Sequence, residues 1–453
     1  MIGSYTFSEI AASLDGELLN TDVEFSEIST DSRTLKKGDL YLALKGEHFN
    51  GNEFVENAGK NGAIGAIVSE AIDASIPLLK VHDTHRALGD LARENRRRSN
   101  AKIIALTGSQ GKTTVKEMVG SILSLRAKTL ITAANLNNTI GVPLTLLKLK
   151  DHEFAVIEMG ANGAGEIAFS VARAEPDIVL ITKASAAHIE GFGSLQGIVE
   201  AKGEIIDGLG QAGIAVLNAD DENVSQWQHR ARDKRIVLFS TCEKQGSDYY
   251  ASDINTSSPN GIGFRLNSPQ GSVEISLNMM GEHNVANAVS ASALALEMGA
   301  KLSDVAQGLA GLLPIDGRLK LRQGVNGSQL IDDTYNASPD SFFSAIEALM
   351  NFSGRRIVVA GDMNELGSES RKSHEQVGKF AASAGVDEFW SVGNMAKWSS
   401  ESFGEKAVHS NDLNSLLDRC LASADDKTVF LIKGSRGARM EKIVNGLLSG
   451  EAS

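Results

Sequence analysis

The sequence predicts a three-domain α/β protein, and three observations carry that expectation. The chain has 453 residues, whereas a single hydrophobic core stops growing at roughly 250–300 residues. Short apolar runs alternate with helix-like stretches through its middle, the pattern of a parallel sheet crossed by helices. That alternation restarts after Pro314, so a second such sheet is expected. The expected blocks are residues 1–100, 101–313 and 314–453.

In the central block the runs 103–107 (IIALT), 154–157 (FAVI), 178–181 (IVLI), 214–217 (IAVL) and 236–239 (IVLF) are apolar on both faces, as buried strands are. Helix-like stretches over residues 115–127 and 195–209 lie between them. In the last block, 330–331, 356–361 (RIVVAG) and 429–432 (VFLI) read as strands of the second sheet. Residues 247–277 are polar, turn-rich and alternating, and read as a small antiparallel excursion. The basic run 93–99 (RENRRRS) reads as a solvated helix end just before the first central strand.

Composition narrows the function classes. With 42% hydrophobic and 22% charged residues, the chain can build cores and is not mainly disordered. A net charge of −13 repels phosphate backbones, so nucleic acid is not expected as the main partner. Any anionic ligand must be caught by local positive features. No apolar run approaches the ~18 residues of a membrane helix, so no membrane insertion is expected. The first residues lack a basic flank followed by an apolar stretch, so no secretory signal is expected. Cys242 and Cys420 are the only cysteines, too few for a disulfide framework, and the reducing cytoplasm is the expected compartment.

The strongest chemical signal is TGSQGKTT at residues 107–114, which follows a predicted strand and opens a predicted helix. Gly108 and Gly111 let backbone N–H groups turn towards a phosphate, and Ser109, Gln110 and Thr114 complete the loop. The helix N-terminus adds partial positive charge. Lys112 can reach β/γ-phosphates and Thr113 can ligate Mg²⁺, so ATP and Mg²⁺ are the expected cofactors. The usual motif has glycine where Leu106 stands, so this is a shortened variant; the bland alternative is a glycine-rich turn with a chance lysine. The glycines of residues 191–197 (GFGSLQG) lack a strand before them and read as a turn. Glu158 closes the second central strand, where open α/β sheets place ligand-binding groups. His188 and Lys202 follow; taken alone they read as a loop histidine and a solvated helical lysine.

Taken together, TGSQGKTT, NLNNTIGVP at 135–143, EMGA at 158–161 and the stretch from His188 through Gly193 to Lys202 closely resemble the Mur ligases. The resemblance continues in DSR at 31–33, GDL at 38–40, GEHN at 281–284 with Asn287, DGR at 316–318, DTYN at 333–336, GDM at 361–363 and KGSR at 433–436. The strings NNTIGVPLTLL, YNASPDS and GDMNELG match the last amide-forming member of the family, and the Asp-Asn-Pro-Arg selector of the preceding member is absent. Departures are Ser338 for a usual asparagine, Asn364 for a usual leucine, and the KASAA string before His188.

The resemblance implies the Mur ligase architecture: an N-terminal substrate domain, a central phosphate-loop ATPase domain and a C-terminal Rossmann-like domain. It implies a ligase of peptidoglycan precursor synthesis whose partners are UDP-N-acetylmuramoyl-tripeptide and D-alanyl-D-alanine. In this reading the tripeptide carboxylate becomes an acyl phosphate at the expense of ATP, and the dipeptide amine then attacks it. Lys112 sits between β- and γ-phosphates; Thr113, Glu158, His188 and Lys202 support Mg²⁺, with Lys202 carbamylated. His283, Asn284 and Asn287 read the adenine, Arg318 reaches the phosphates, and Asp333 holds the ribose. Asp31, Ser32 and Arg33 meet the uridine diphosphate, while Ser435 and Arg436 grip peptide carboxylates. Asp362 and Glu365 either attract the incoming ammonium or form a surface turn. The chain is expected to act as a monomer. Alternatives are another Mur ligase or a folylpolyglutamate-type synthetase with a different acceptor and, from another class, a regulator switched by ATP.

Overall fold

In the computed structural model, which describes residues 1–46, 48–185, 189–256 and 261–450, four β-sheets carry the chain. The largest has nine strands in the order Gly271–Leu277, Ile262–Ser268, Tyr249–Asn255, Arg235–Ser240, Ile214–Asn218, Ile178–Ile181, Lys102–Thr107, Phe154–Glu158 and Thr129–Ile131. From Tyr249–Asn255 to Thr129–Ile131 every neighbouring pair is parallel. The two remaining strands pair antiparallel on the outer edge. Residues 247–277 form the expected antiparallel excursion, joined to the edge of this sheet. Asp248 accepts the Leu238 N–H at 2.8 Å and draws the segment onto the sheet, where Tyr249, Phe264 and Leu266 bury one face.

The apolar runs are strands because both faces are covered. Ile103 and Ala105 join one hydrophobic cluster and Ile104 and Leu106 the other. Ala155/Ile157 and Phe154/Val156 divide in the same way, following the two-residue period of a strand. Helices Lys112–Ser124 and His283–Glu297 cover the second face, with Met118, Val119, Val285 and Val289 fully buried.

The first cluster also runs from Met1 to Ala231 and joins the N-terminal region to the central sheet. That region holds five strands in the order Gly16–Leu18, Leu78–Val81, Gly65–Val68, Leu40–Leu42 and Ile28–Ser29, followed by helix Thr84–Arg97. Asn95, fully buried on this helix, ties the junction. Its Oδ1 accepts the Ile2 N–H at 2.7 Å, and its Nδ2 donates to the Leu146 carbonyl at 2.8 Å. The basic run is not simply a solvated helix end. Arg96 is packed into the junction, donating to the carbonyls of Ala174 and Glu175 at 2.9 and 3.1 Å. The helix end meets these free carbonyls, and five guanidinium donors can satisfy them without leaving a buried acceptor.

The third region has six strands, Lys320–Gln323, Gln329–Asp333, Thr428–Lys433, Arg355–Ala360, Glu388–Val392 and Ala407–Ser410. All neighbours are parallel except the first pair. Thr428–Lys433 lies between two strands that precede it in the chain, and the helices that follow those two strands, Pro339–Met350 and Ser370–Ala384, pack into one hydrophobic cluster on the same face of the sheet. Among the described residues no helix is long and apolar enough to cross a membrane.

Candidate active site

The loop of residues 107–111 leaves the middle of the central sheet and turns into helix Lys112–Ser124. Gly108 has φ +147° and Gly111 has φ +81°, and a side chain on either would strike a neighbour. At Gly108 the obstacle is the Thr182 hydroxyl, which donates to the Gln110 carbonyl at 2.6 Å; at Gly111 it is the carboxamide of Asn287. Ser109 is pinned by its N–H to the Lys183 carbonyl at 2.7 Å and its hydroxyl to the Ser185 carbonyl at 3.1 Å. The loop is therefore built before any ligand arrives, with the helix N-terminus behind it. Lys112 folds back to donate to the Gly108 carbonyl at 2.6 Å. Removal from water lowers its pKa, with Glu158 opposing and Arg318 adding to the effect.

Glu158 is 1% exposed at the end of its strand. Its Oε1 accepts from Thr113 Oγ1 at 3.2 Å and from Asn137 Nδ2 at 2.7 Å. Its Oε2 is buried with no hydrogen-bond partner. A buried carboxylate oxygen with free lone pairs, next to a threonine hydroxyl, is a donor set suited to a hard cation that takes few protein ligands. Among the described residues no group of three or more His, Cys, Asp or Glu is placed to hold a metal. His188 lies outside the described residues.

Lys202 sits on helix Leu195–Asp207, which starts at the Ser194 cap after Gly193. The glycines of residues 191–197 thus serve a helix end and a helix start, not a nucleotide fingerprint. Lys202 is 3% exposed, with its Nζ 5.3 Å from the Phe192 ring centroid. Its pKa is pulled down to about 7, first by burial and then by the charge of Lys112, against Glu166 and Glu204.

The last third of the chain reaches this loop. Arg318 Nη2 donates to Thr113 Oγ1 at 3.0 Å, while its guanidinium lies 4.3 Å from the Tyr335 ring centroid. Gln110 Nε2 donates to Ser338 Oγ at 3.2 Å, and Lys183 lies 3.6 Å from Asp340. The Ser338 position, an unusual residue in the sequence, is thus the point where the phosphate loop touches helix Pro339–Met350. A cleft of about 280 Å³ opens between the two thirds, lined by Met280, Gly281 and His283 on one side and by Ser344, Glu347 and Phe352 on the other. His283 lines this cleft, and desolvation by the surrounding protein lowers its pKa to about 4, with the charge of Asp333 opposing and those of Lys433 and Arg318 adding to the effect. Asn284 and Asn287 are buried and linked to each other, Asn287 Nδ2 donating to Asn284 Oδ1 at 2.9 Å.

Other expected residues stand apart or are engaged in holding the fold. Asp333 Oδ1 accepts the Leu319 N–H at 3.1 Å and its Oδ2 meets Lys433 Nζ at 2.5 Å, so both carboxylate oxygens are occupied. Ser435 is 3% exposed and its hydroxyl accepts the Asn364 N–H at 2.8 Å, leaving the neighbouring Arg436 exposed. Asp362 accepts three successive backbone N–H groups, those of Asn394, Met395 and Ala396, at 3.0, 2.9 and 2.7 Å. It is the anchor of a turn. Asp31 and Arg33 pair with each other at 2.8 Å on the surface, around the buried Ser32; the pairing draws the Asp31 pKa down to about 2.

Three family descriptions fit successive stretches: "Mur ligase family, catalytic domain" over residues 24–96, "Mur ligase middle domain" over 106–295, and "Mur ligase, glutamate ligase domain" over 317–436. The UDP-N-acetylmuramoyl-tripeptide--D-alanyl-D-alanine ligase of Escherichia coli K12 is 43% identical over 447 residues, covering 98% of both chains. The chain belongs to the Mur ligase family. Among solved Mur ligases, a MurF crystal structure from Acinetobacter baumannii superposes with a TM-score of 0.92 at 36% identity, covering 99% of both chains. The MurF ligase of Thermotoga maritima in complex with ADP superposes at 0.83 and 28% identity, covering 92% of this chain and 96% of that one. The three-part α/β architecture of this Mur ligase is therefore that of its relatives.

Sequence reasoning singles out the phosphate loop, Glu158 and Arg318, and the structure brings these together. It carries Asn137 only within a longer string and misses Lys116 and Thr182. Lys116 lies one helical turn after Lys112, so the i,i+4 rule is the available signal.

Proposed function

We propose that this Mur ligase joins D-alanyl-D-alanine to UDP-N-acetylmuramoyl-tripeptide in peptidoglycan precursor synthesis, at the expense of ATP. The observation that carries the reading is the meeting of Lys112, Thr113 and Glu158 with Arg318 from the last third of the chain, in a protein 43% identical to a ligase named for that reaction. That name favours the D-alanyl-D-alanine acceptor over those of other Mur ligases or folylpolyglutamate-type synthetases.

A carboxylate is a poor electrophile at neutral pH. Attack of the tripeptide's terminal carboxylate on the γ-phosphate gives an acyl phosphate and ADP. The dipeptide amine then attacks the acyl carbon and phosphate leaves as the amide forms. Both steps gather anions, so fixed cations and N–H groups do much of the work. The backbone of Gly108, Ser109 and Gly111 cradles the phosphates, with Gln110 and Thr114 holding the loop's shape. Lys112 exchanges the Gly108 carbonyl for the β/γ-phosphates. Arg318 approaches the same group from across the cleft. His283, Asn284 and Asn287 border the cleft that suits the adenine, and Asp333 is offered to the ribose once Lys433 shares it.

Thr113 and the free Oε2 of Glu158 fit Mg²⁺, with His188 and Lys202 as further support; the ion supplies charge neutralisation for the transferring phosphoryl group. A lysine with a pKa near 7 keeps a neutral amine fraction able to add CO₂, which fits Lys202 as a carbamate oxygen donor. Asp31, Ser32 and Arg33 are assigned to the uridine diphosphate, and Ser435 and Arg436 to the peptide. The chain is assigned as a monomer within this reading, and a nucleotide-linked precursor supports the cytoplasm as its compartment.

The test is phosphate release from ATP with UDP-N-acetylmuramoyl-tripeptide, with D-alanyl-D-alanine, and with both. Steady release only with both is expected. Release that ignores the dipeptide, or responds to another acceptor instead, overturns the assignment.

A further inference from the structure

Lys116 is 1% exposed, one turn beyond Lys112 on the phosphate-loop helix. Burying an ammonium is costly unless it is paired. Its Nζ donates to the Thr132 carbonyl at 2.8 Å and meets Glu117 Oε1 at 2.9 Å. Its remaining side faces Glu158 Oε2 at 3.9 Å. That separation exceeds a hydrogen bond, and Glu158 Oε2 keeps its lone pairs free. Thr132 completes the arrangement, its hydroxyl accepting the Glu158 N–H at 3.0 Å. The lysine is thus held by one hydrogen bond and one ion pair just behind the carboxylate. It is near enough to offset the charge and too far to consume the oxygen.

We infer that Lys116 is a positioning residue, a resident counter-cation that stabilises ionised Glu158 while no divalent ion is bound and leaves Oε2 available to one. The inference rests on the proposed role of Glu158 in holding Mg²⁺. Both positive charges act on one carboxylate, so each weakens the other's hold. The fixed charge of Lys116 then sets how readily the ion leaves, and removing it tightens Mg²⁺ binding.

The experiment measures the Mg²⁺ concentration that half-saturates ADP binding, by calorimetry, together with melting temperature in EDTA and in saturating Mg²⁺ with ADP. The proteins are wild type, Lys116→Met, Lys116→Arg, Glu158→Gln and the Lys116→Met/Glu158→Gln double variant. Lys116→Met is expected to lower the half-saturating Mg²⁺ by at least about tenfold, the effect that one charge a few ångströms from a divalent ion has even at a water-like dielectric. It is also expected to melt lower in EDTA, with the deficit narrowing when Mg²⁺ and ADP bind. Lys116→Arg restores the wild-type values, and adding Glu158→Gln abolishes both effects. An unchanged or raised Mg²⁺ requirement in Lys116→Met, with Glu158→Gln raising it, overturns the role of Lys116 alone. If Glu158→Gln leaves the requirement unchanged, the metal reading falls and the inference with it. Should Lys116→Met not fold, recovery of folded protein in the double variant supports the pairing, and failure of both overturns it.

Discussion

Replacing Lys202 with methionine separates burial from charge. Lys202 is 3% exposed, and its pKa falls from 10.5 to about 7 in the folded chain, chiefly through burial. That drop corresponds to about 5 kcal/mol of penalty on the protonated form. The unfolded lysine holds its proton up to about pH 10.5, whereas the folded one releases it near pH 7. Between these values the unfolded state binds more protons, so the wild type gains stability as pH rises. Below pH 7 both states are protonated and the whole penalty is present. Lys202→Met, which keeps the side-chain volume, should therefore exceed the wild type by up to about 5 kcal/mol at pH 6 and lose that advantage progressively towards pH 10. The assay is urea unfolding of both proteins across this range, in buffer freed of CO₂. A stability difference that stays flat with pH, or grows as pH rises, would refute the reasoning.

Lys112→Ala should lower turnover by orders of magnitude in the phosphate-release assay while circular dichroism stays that of the wild type; near-normal turnover would remove the phosphate-loop role. Lys433→Met should cost about 3–5 kcal/mol in denaturant unfolding because it leaves Asp333 buried without its partner. Adding Asp333→Asn should recover much of that loss, and a purely additive pair would argue against the ion pair. Arg436→Ala should raise the KM for the peptide substrate with the KM for ATP unchanged, and an unaltered peptide KM would remove Arg436 from that site.

Some of this molecule is legible in its sequence for a simple reason. Ile103 to Leu106, like Phe154 to Ile157, must be apolar on both faces when helices cover both, and a continuous apolar run is visible without a structure. The phosphate loop is legible because Gly108 and Gly111 adopt backbone angles that few residues tolerate. Thr129–Ile131 escapes notice because it is a three-residue edge strand, half-buried throughout. Lys116 and Asn95 are hidden for a different reason. A buried polar residue looks like a surface one in sequence, and only its partners, 16 residues away at Thr132 and 51 away at Leu146, reveal the difference. Asp333 reads as a free carboxylate for the same reason; Lys433, 100 residues on, is its unseen partner.

The shared hydrophobic cluster from Met1 to Ala231 has a mechanical consequence. The first two thirds of the chain are soldered into one block; the last third meets it through the polar contacts of Arg318 with Thr113, Ser338 with Gln110 and Asp340 with Lys183, and through Met280, which packs into the last third's own hydrophobic cluster. Any large swing must pivot in the short link between helix Leu302–Gly311 and strand Lys320–Gln323, where Leu313 stands 78% exposed and Gly317 takes φ +71°. Any closure of the cleft would move the last third against a fixed block.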